Sequence, residues 1–281
     1  MRVLIIGLGS IAQKHIIALR SVVDDVEIDA LRSTPNPTIH PNITNVTSID
    51  RDYDLVIIST PSSNHLDDIK KLLGTSTPIM VEKPFLINKE QIEEFKLLNL
   101  TNPIYIACNL RFIPSFNKFI NDINNDKSKV NEVTSYCGSY LPDWRPNQDY
   151  TKSYSANSKL GGGVNLDLIH EFDLMYYMFG KPDEVIKRNR KVSTLKLDSY
   201  DYSHYILGYN DFDATVKLNY FRKDYKRYIE VVKESKTYYY EFNSEEFSIS
   251  YAKQIEYVIN NREYENNPTS AIEVLNIVLW F

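Results

Sequence analysis

Cysteine is scarce: Cys108 and Cys137 are the only two in 281 residues. Two thiols cannot build the disulfide framework of a small secreted domain, so incidental thiols in a reducing compartment are expected. Long apolar runs are missing too. None approaches the roughly 20 residues that span a bilayer. The opening run Val3-Leu4-Ile5-Ile6 stops at Gly7 with no cleavage-like site after it, which argues against a secretion signal. Lysine and arginine form no run and the net charge is −5, which argues against a nucleic-acid-binding surface. Internal repeats and low-complexity linkers are absent as well. What remains is ordinary for a globular chain, with 25% charged and 43% hydrophobic residues and length for one large domain or two ordinary ones. The expectation is a soluble cytoplasmic protein with a small-molecule substrate.

The first half alternates short apolar runs with helical patterns. Residues 3–6, 26–31, 55–59, 79–81 and 104–108 read as buried strands. A helix follows the first, with Ile11, His15, Ala18 and Val22 recurring on one face of a 3.6-residue period. A second helix carries Leu66, Ile69 and Leu73 on one face. Strands apolar on both faces and alternating with helices predict a parallel sheet covered on both sides, an α/β Rossmann-type domain over residues 1–112. From about Asn131 the pattern changes. Residues 133–141, 184–195, 203–209, 214–221, 228–233 and 237–242 read as longer strands with turn residues between several of them. A helix over 166–179 is stopped by Gly180 and Pro182. Two more helices, 250–260 and 269–280, close the chain. Residues 113–281 are therefore predicted to form an α+β domain with an open, mostly antiparallel sheet.

The loop Gly7-Leu8-Gly9-Ser10-Ile11-Ala12 lies between the first strand and the first helix. Glycines at 7 and 9 permit a sharp turn and a close backbone approach to a pyrophosphate, with Ser10 and Ile11 opening a helix whose N-terminus is positive. Ala12 stands where a small residue permits close helix–strand packing. A glycine turn after a strand can be punctuation only; its position before a helix favours the dinucleotide reading. An acidic residue should end the second strand if the ribose 2′-hydroxyl of NAD is gripped. That place reads Leu31-Arg32-Ser33-Thr34, and an arginine flanked by hydroxyls suits a 2′-phosphate. NADP(H) is favoured and NAD remains open. The plain alternative makes Arg32 a solvated loop residue and gives the ribose to Asp29.

Three further segments carry chemistry. Thr60, Pro61, Ser62, Ser63 and His65 follow a strand at the carboxyl edge where open α/β sheets bind ligands, although Pro61 and Ser62 also suit a plain helix start. Glu82-Lys83-Pro84 follows another strand. A lysine there could hold the ribose and protonate a developing alkoxide, though a loop lysine is ordinarily solvated. In Gly161-Gly162-Gly163-Val164-Asn165-Leu166-Asp167-Leu168-Ile169-His170, Asp167 and His170 are three apart on the expected helix, so the carboxylate could orient the imidazole for proton transfer. A structural hydrogen-bonded pair is the competing interpretation. No further His or Cys stands at ligand spacing, so no metal is expected.

Taken together, these segments, with Asn109-Leu110-Arg111-Phe112-Ile113-Pro114, resemble the Gfo/Idh/MocA family of glucose–fructose oxidoreductase and inositol dehydrogenase relatives over nearly the whole chain. Leu141-Pro142-Asp143-Trp144-Arg145-Pro146, followed by Asp149-Tyr150 and Tyr154-Ser155-Ala156, looks most like the branch found with surface-polysaccharide and sugar biosynthesis. The resemblance implies NAD(P)-dependent oxidation or reduction of a sugar or cyclitol carbon. It makes Lys83 the nicotinamide-proximal catalytic lysine and His170 the acid/base, with Asp167 positioning the substrate or the histidine. Asn109 and Arg111 would lie near cofactor and substrate, and Trp144, Arg145, Tyr150 and Tyr154 would line the sugar pocket. It also implies a homo-oligomer, dimer or tetramer, assembled through the second-domain sheet. Two features depart from the pattern. Many members separate the Asp and His by three residues, whereas only Leu168 and Ile169 intervene here. The sequence also stops at Phe281 directly after its last helix, a difference expected to touch packing or assembly and nothing catalytic.

The leading expectation is an NADPH-favouring oxidoreductase of a sugar, sugar nucleotide or sugar acid. A glycosidase- or lyase-like enzyme using a tightly bound cofactor in a reversible hydride shuttle is the second, and a non-catalytic cofactor-binding protein the third. Net change in nicotinamide absorbance separates the first from the second.

Overall fold

The computed structural model describes residues 1–32 and 42–279. The chain folds as two compact units, Met1–Phe112 with Glu245–Ile272 and Ile113–Ser244 with Glu273–Phe281. The sequence suggests a single cut near residue 112; the units instead interleave.

In the first unit, β1 (Arg2–Ile6), β2 (Glu27–Leu31), β3 (Ile43–Val46), β4 (Leu55–Ile58), β5 (Ile79–Val81) and β6 (Ile104–Ile106) form one parallel sheet in the order β3-β2-β1-β4-β5-β6. Strand order reverses between β1 and β4, so the loops after these strands open a crevice at the carboxyl edge. Helices α1 (Ser10–Val22), α2 (His65–Lys70) and α3 (Lys89–Lys96) connect strands, and α7 (Phe247–Asn260) returns from the far end of the sequence. α1 buries Ala12, His15, Ile16, Ala18 and Leu19. Ile255 and Val258 of α7 join Ile16 and Leu19 in the same core cluster. No local pattern announces that return, because the apolar face of α7 would suit either unit. Strand β3 escapes the periodicity reading as well, being four residues long with two of them exposed at the sheet edge. The signal for α3 is present in the sequence but easily passed over: Asn88 caps it, its Oδ1 accepting from the Gln91 N–H at 2.9 Å.

In the second unit, α4 (Pro114–Asn125) precedes β7 (Val130–Tyr140), and two helices, α5 (Val164–Asp167) and α6 (His170–Phe179), lead into β8 (Glu184–Arg190), β9 (Tyr202–Tyr209), β10 (Phe212–Asn219), β11 (Phe221–Lys233) and β12 (Thr237–Glu241); α8 (Pro268–Leu279), whose residues from Glu273 on belong to this unit, ends the described chain. The sheet order is β12-β11-β7-β10-β9-β8, antiparallel everywhere except between β7 and β10. Alternate residues of β9 and β10 are buried and half-exposed, so one face is core and the other faces outward. The single helix expected over 166–179 is two. α5 stops at Asp167, Leu168 takes φ −99° and ψ 35°, and α6 restarts at His170. The break falls where the Asp167 side chain is held by Tyr220 Oη at 2.5 Å. The strand expected to reach 195 ends at Arg190, because the buried Asp201 carboxylate accepts from the Val192 N–H, the Ser193 N–H and Ser193 Oγ and turns the chain.

A buried ion pair fastens α6 to this sheet. Arg227 Nε of β11 donates to Glu171 Oε1 of α6 at 2.5 Å, with both side chains under a tenth exposed. Removing one partner strands the other charge in the core, so Arg227→Met is expected to cost about 3–5 kcal/mol. The double variant Arg227→Met/Glu171→Leu is expected to recover most of that. Chemical denaturation of the three proteins checks both statements; equal losses in single and double variants would contradict them.

Candidate functional site

The glycine loop is built against the end of β4. Gly7 sits at φ +91°, and a Cβ there would fall 2.9 Å from Thr60 Cγ2 and from the Thr60 backbone nitrogen. Ser59 Oγ donates to the Gly7 carbonyl at 2.7 Å and the Ser59 N–H to Ile6 O at 2.9 Å, fixing the loop to the next strand. Gly9 is the N-cap of α1, has no side-chain cap, and a Cβ placed on it would meet nothing within 4 Å. Ser10 and Ile11 open the helix, and Ala12 is fully buried. The first-turn N–H groups of α1 thus face open space beside a glycine, the arrangement that receives a pyrophosphate.

Next to this loop is a cavity of about 690 Å3, lined among others by Gly7, Arg32, Thr47, Ser48, Thr60 and Lys71. Arg32 Nη1 is buried there with no hydrogen-bond partner among the described residues. Ser33 and Thr34 lie outside the described residues. Asp29 is otherwise engaged: buried within β2, it accepts from Tyr53 Oη at 2.9 Å and from Arg51 Nη2. It is not among the described residues that line the cavity. Asp68, the acid that does line it, already accepts from Thr60 Oγ1 at 2.6 Å and Lys71 Nζ at 2.5 Å. Asn64, in the segment after β4, lines the cavity too, whereas Thr47, Ser48 and Lys71 were missed by sequence reading; the first two follow the unrecognised edge strand β3.

Glu82 and Lys83 leave β5 beside the Thr60 segment, two strands and roughly 10 Å from β1. Buried His15 of α1 places Nε2 2.6 Å from Glu82 Oε1, linking the cofactor helix to this turn. Burial pushes the Glu82 carboxyl up, but the His15 hydrogen bond and the charges of His15, Lys83 and His65 outweigh it and hold it below the ordinary glutamate value. His65 is a staple rather than an exposed ligand. Its Nδ1 lies 3.1 Å from Pro84 O and 3.2 Å from Phe85 O, and its Nε2 3.0 Å from Thr60 O. Pro61 and Ser62 start the turn leading to it, and Ser62 is buried. Asn109 commits its Nδ2 to Ser250 Oγ of α7 at 2.8 Å, and Arg111 is buried in the same turn, Asn109–Phe112.

Burial lowers the His65 imidazole below its ordinary value, against the pull of the Phe85, Thr60 and Pro84 carbonyls and of Glu82. Below the unfolded value of about 6.5 the unfolded chain takes up a proton that the folded chain resists. The stabilisation is therefore complete above that pH and is lost as pH falls through the folded value. The melting temperature is expected to fall on acidification below about pH 6.5, less steeply in His65→Gln. A flat profile for the parent protein would contradict this.

In the second unit three of the residues expected to line a sugar pocket, Trp144, Arg145 and Tyr150, share a cavity of about 20 Å3, and Tyr154 is not among its lining residues. Gln148, Ser153 and Ser155 line it as well. The Arg145 guanidinium lies over the Tyr154 ring, 5.9 Å from its centroid. Asp167, 2% exposed, accepts from Tyr220 Oη at 2.5 Å and from the Tyr154 hydroxyl. Burial first, then the Asp167 charge, pushes both phenols well above 10, so both stay protonated donors. Tyr220 was not singled out from the sequence, where nothing but its place in a strand connection marks it. Trp144 packs edge-on against it at 5.4 Å and donates Nε1 to Ser139 Oγ at 3.0 Å. His170 opens α6 and is half-buried. The backbone beneath is tight: a Cβ on Gly162 would fall 2.1 Å from Tyr154 O. Among the described residues, no group of three or more His, Cys, Asp or Glu could hold a metal ion, and no helix is long and apolar enough to cross a membrane.

The model of the GFO_IDH_MocA family, described as an oxidoreductase family with an NAD-binding Rossmann fold, matches residues 1–100. Over these residues the chain is similar to that family. A relative, the inositol 2-dehydrogenase of Rhizobium meliloti (strain 1021), is 28% identical over 133 residues, 46% of this chain and 38% of the relative. Such matches span between 31% and 51% of the curated relatives' own lengths. Two solved structures share this fold across 99% of the chain. The myo-inositol 2-dehydrogenase from Lactobacillus plantarum superposes with a TM-score of 0.84 at 16% identity, over 95% of its chain. The WlbA dehydrogenase from Bordetella pertussis in complex with NADH and UDP-GlcNAcA gives 0.83 at 14% identity, over 93% of its chain.

Proposed function

We propose that this protein is an NADP(H)-dependent oxidoreductase acting on a carbon of a sugar, sugar nucleotide or sugar acid. The observation that carries the reading is Arg32 Nη1, buried with no hydrogen-bond partner among the described residues, in a cavity beside an uncapped glycine–helix cradle. Gly7, Gly9, Ser10 and Ile11 would hold the pyrophosphate, and Arg32, aided by Lys71, the 2′-phosphate. When bound, the nicotinamide supplies or takes up the hydride. The chain's own part is binding and proton movement. Lys83 stands on a turn fixed by Glu82, His15 and His65, and in this reading it or His170 delivers a proton to the oxygen of the reduced carbon, neutralising charge that develops there. The likeness of the Leu141–Pro146 stretch to the surface-polysaccharide branch supports a substrate from surface carbohydrate synthesis, and two buried cysteines, Cys108 and Cys137, suit a cytoplasmic setting. Incubation with NADPH and a panel of keto-sugars should lower nicotinamide absorbance. A cofactor that co-purifies and supports turnover without net absorbance change would instead favour the hydride-shuttle class.

The reading includes a homo-oligomer through the outward face of the second sheet. Arg188, His204 and Lys217 stand directly side by side across β8, β9 and β10. Like charges so placed repel one another. Two rows away, Glu184, Asp213 and Glu132 form an acidic row in the same register, beyond the row of Ile186, Ile206, Thr215 and Thr134. A second copy turned about an axis along that middle row would lay basic row on acidic row. Sedimentation should find an oligomer that Lys217→Glu shifts toward monomer; a monomeric parent protein would contradict this.

A further inference from the structure

We propose that Arg145 is a specificity-determining residue, and that the substrate carries an anionic group, a sugar carboxylate or a sugar-borne phosphate, which Arg145 binds. The proposal rests on the sugar-oxidoreductase reading and names its substrate class. Arg2, Arg51, Arg222 and Arg227 each pair with a carboxylate. Arg145 forms no ion pair with any described residue, although it is half-buried and the chain as a whole is acidic. Two of the acids near it are used elsewhere. Asp149 caps its own turn, accepting from the Thr151 N–H at 3.0 Å and Thr151 Oγ1 at 2.7 Å, which together hold its carboxyl below the ordinary aspartate value. Asp167 takes the hydroxyls of Tyr154 and Tyr220. That engagement also fixes the Tyr154 ring as a platform for the guanidinium, the geometry of a cation–π contact, which leaves the in-plane N–H fork for another acceptor.

The cavity that Arg145 shares with Trp144, Gln148, Tyr150, Ser153 and Ser155 contains no acid. At about 20 Å3 it leaves room beside the guanidinium for one small substituent and not for a sugar ring, and the lone cation gives it its sign. A neutral sugar leaves that charge without a counterpart. A carboxylate or phosphate meets it with paired, charge-assisted hydrogen bonds, expected to give about 10- to 100-fold tighter binding.

The test is calorimetric titration of the NADPH-loaded protein with gluco-, galacto- and manno-hexoses and with their uronates and 6-phosphates. The expected result is at least about tenfold tighter binding of one anionic series over the neutral one, lost in Arg145→Gln and partly kept in Arg145→Lys. Uronates alone would identify the carboxylate source and phosphates alone the phosphate source. Equal affinity for neutral and anionic sugars, or a preference that survives Arg145→Gln, overturns the proposal while leaving the oxidoreductase reading standing. If NADPH binds, as its fluorescence reports, and no sugar of any series does, the sugar reading fails and this proposal with it.

Discussion

Arg32→Asp is expected to invert coenzyme preference, costing NADPH about 10- to 100-fold in affinity while NADH is held or improved. The lower bound is the loss of one or two charge-assisted hydrogen bonds, about 1.5–3 kcal/mol, and the aspartate adds repulsion toward a 2′-phosphate. The position decides this, not the residue type alone. Arg32 directly follows β2, one of its guanidinium nitrogens is buried without a partner among the described residues, and Lys71 lines the same cavity. Asp29, the one carboxylate in β2 besides the first-position Glu27, is consumed by Tyr53 and Arg51. Fluorescence titration of both coenzymes with parent and variant measures the effect. Tighter binding of NADH than NADPH by the parent protein would reject the 2′-phosphate assignment.

Lys83→Ala is expected to lower kcat by about 10²- to 10⁴-fold, the usual worth of a positioned proton donor, while NADPH still binds. The turn that carries Lys83 is held from three sides: by Glu82 on His15, by His65 on the Pro84 and Phe85 carbonyls, and by the sheet bond of the Glu82 N–H to Ile58 O at 2.9 Å. Alanine leaves those contacts in place, so a fall in kcat without loss of cofactor affinity separates chemistry from folding. His170→Ala, measured beside it, assigns the donor: the variant with the larger fall and an altered pH–rate profile loses the acid. Full activity in both variants would remove the proton-donor assignment from this chain.

The glycine loop, the parallel sheet and the switch to antiparallel strands near residue 131 were legible because each has its own local period or spacing. The loop works through backbone, and Gly7 and Gly9 state that in the sequence. What stayed hidden depends on partners far away in the chain. Asp167 and His170 look like one helical pair, yet Asp167 ends α5 under two phenols, one of them Tyr220, fifty-three residues on. His65 resembles a ligand in the sequence and is a staple in the fold, since three carbonyls surround its ring. The return of α7 to the first unit, and the engagement of Asn109 with Ser250 that it brings, could not be read from periodicity, which gives a helix a face but not a neighbour.

The most direct test of the central claim follows a label. The protein is incubated with NADPH carrying deuterium at the transferable nicotinamide position and with the keto-sugar that binds most tightly, and the product is examined by NMR and mass spectrometry. The account predicts one deuterium on the former carbonyl carbon, with Lys83→Ala or His170→Ala suppressing its arrival. Tight NADPH binding with the label retained on the cofactor, across every sugar that binds, would contradict it.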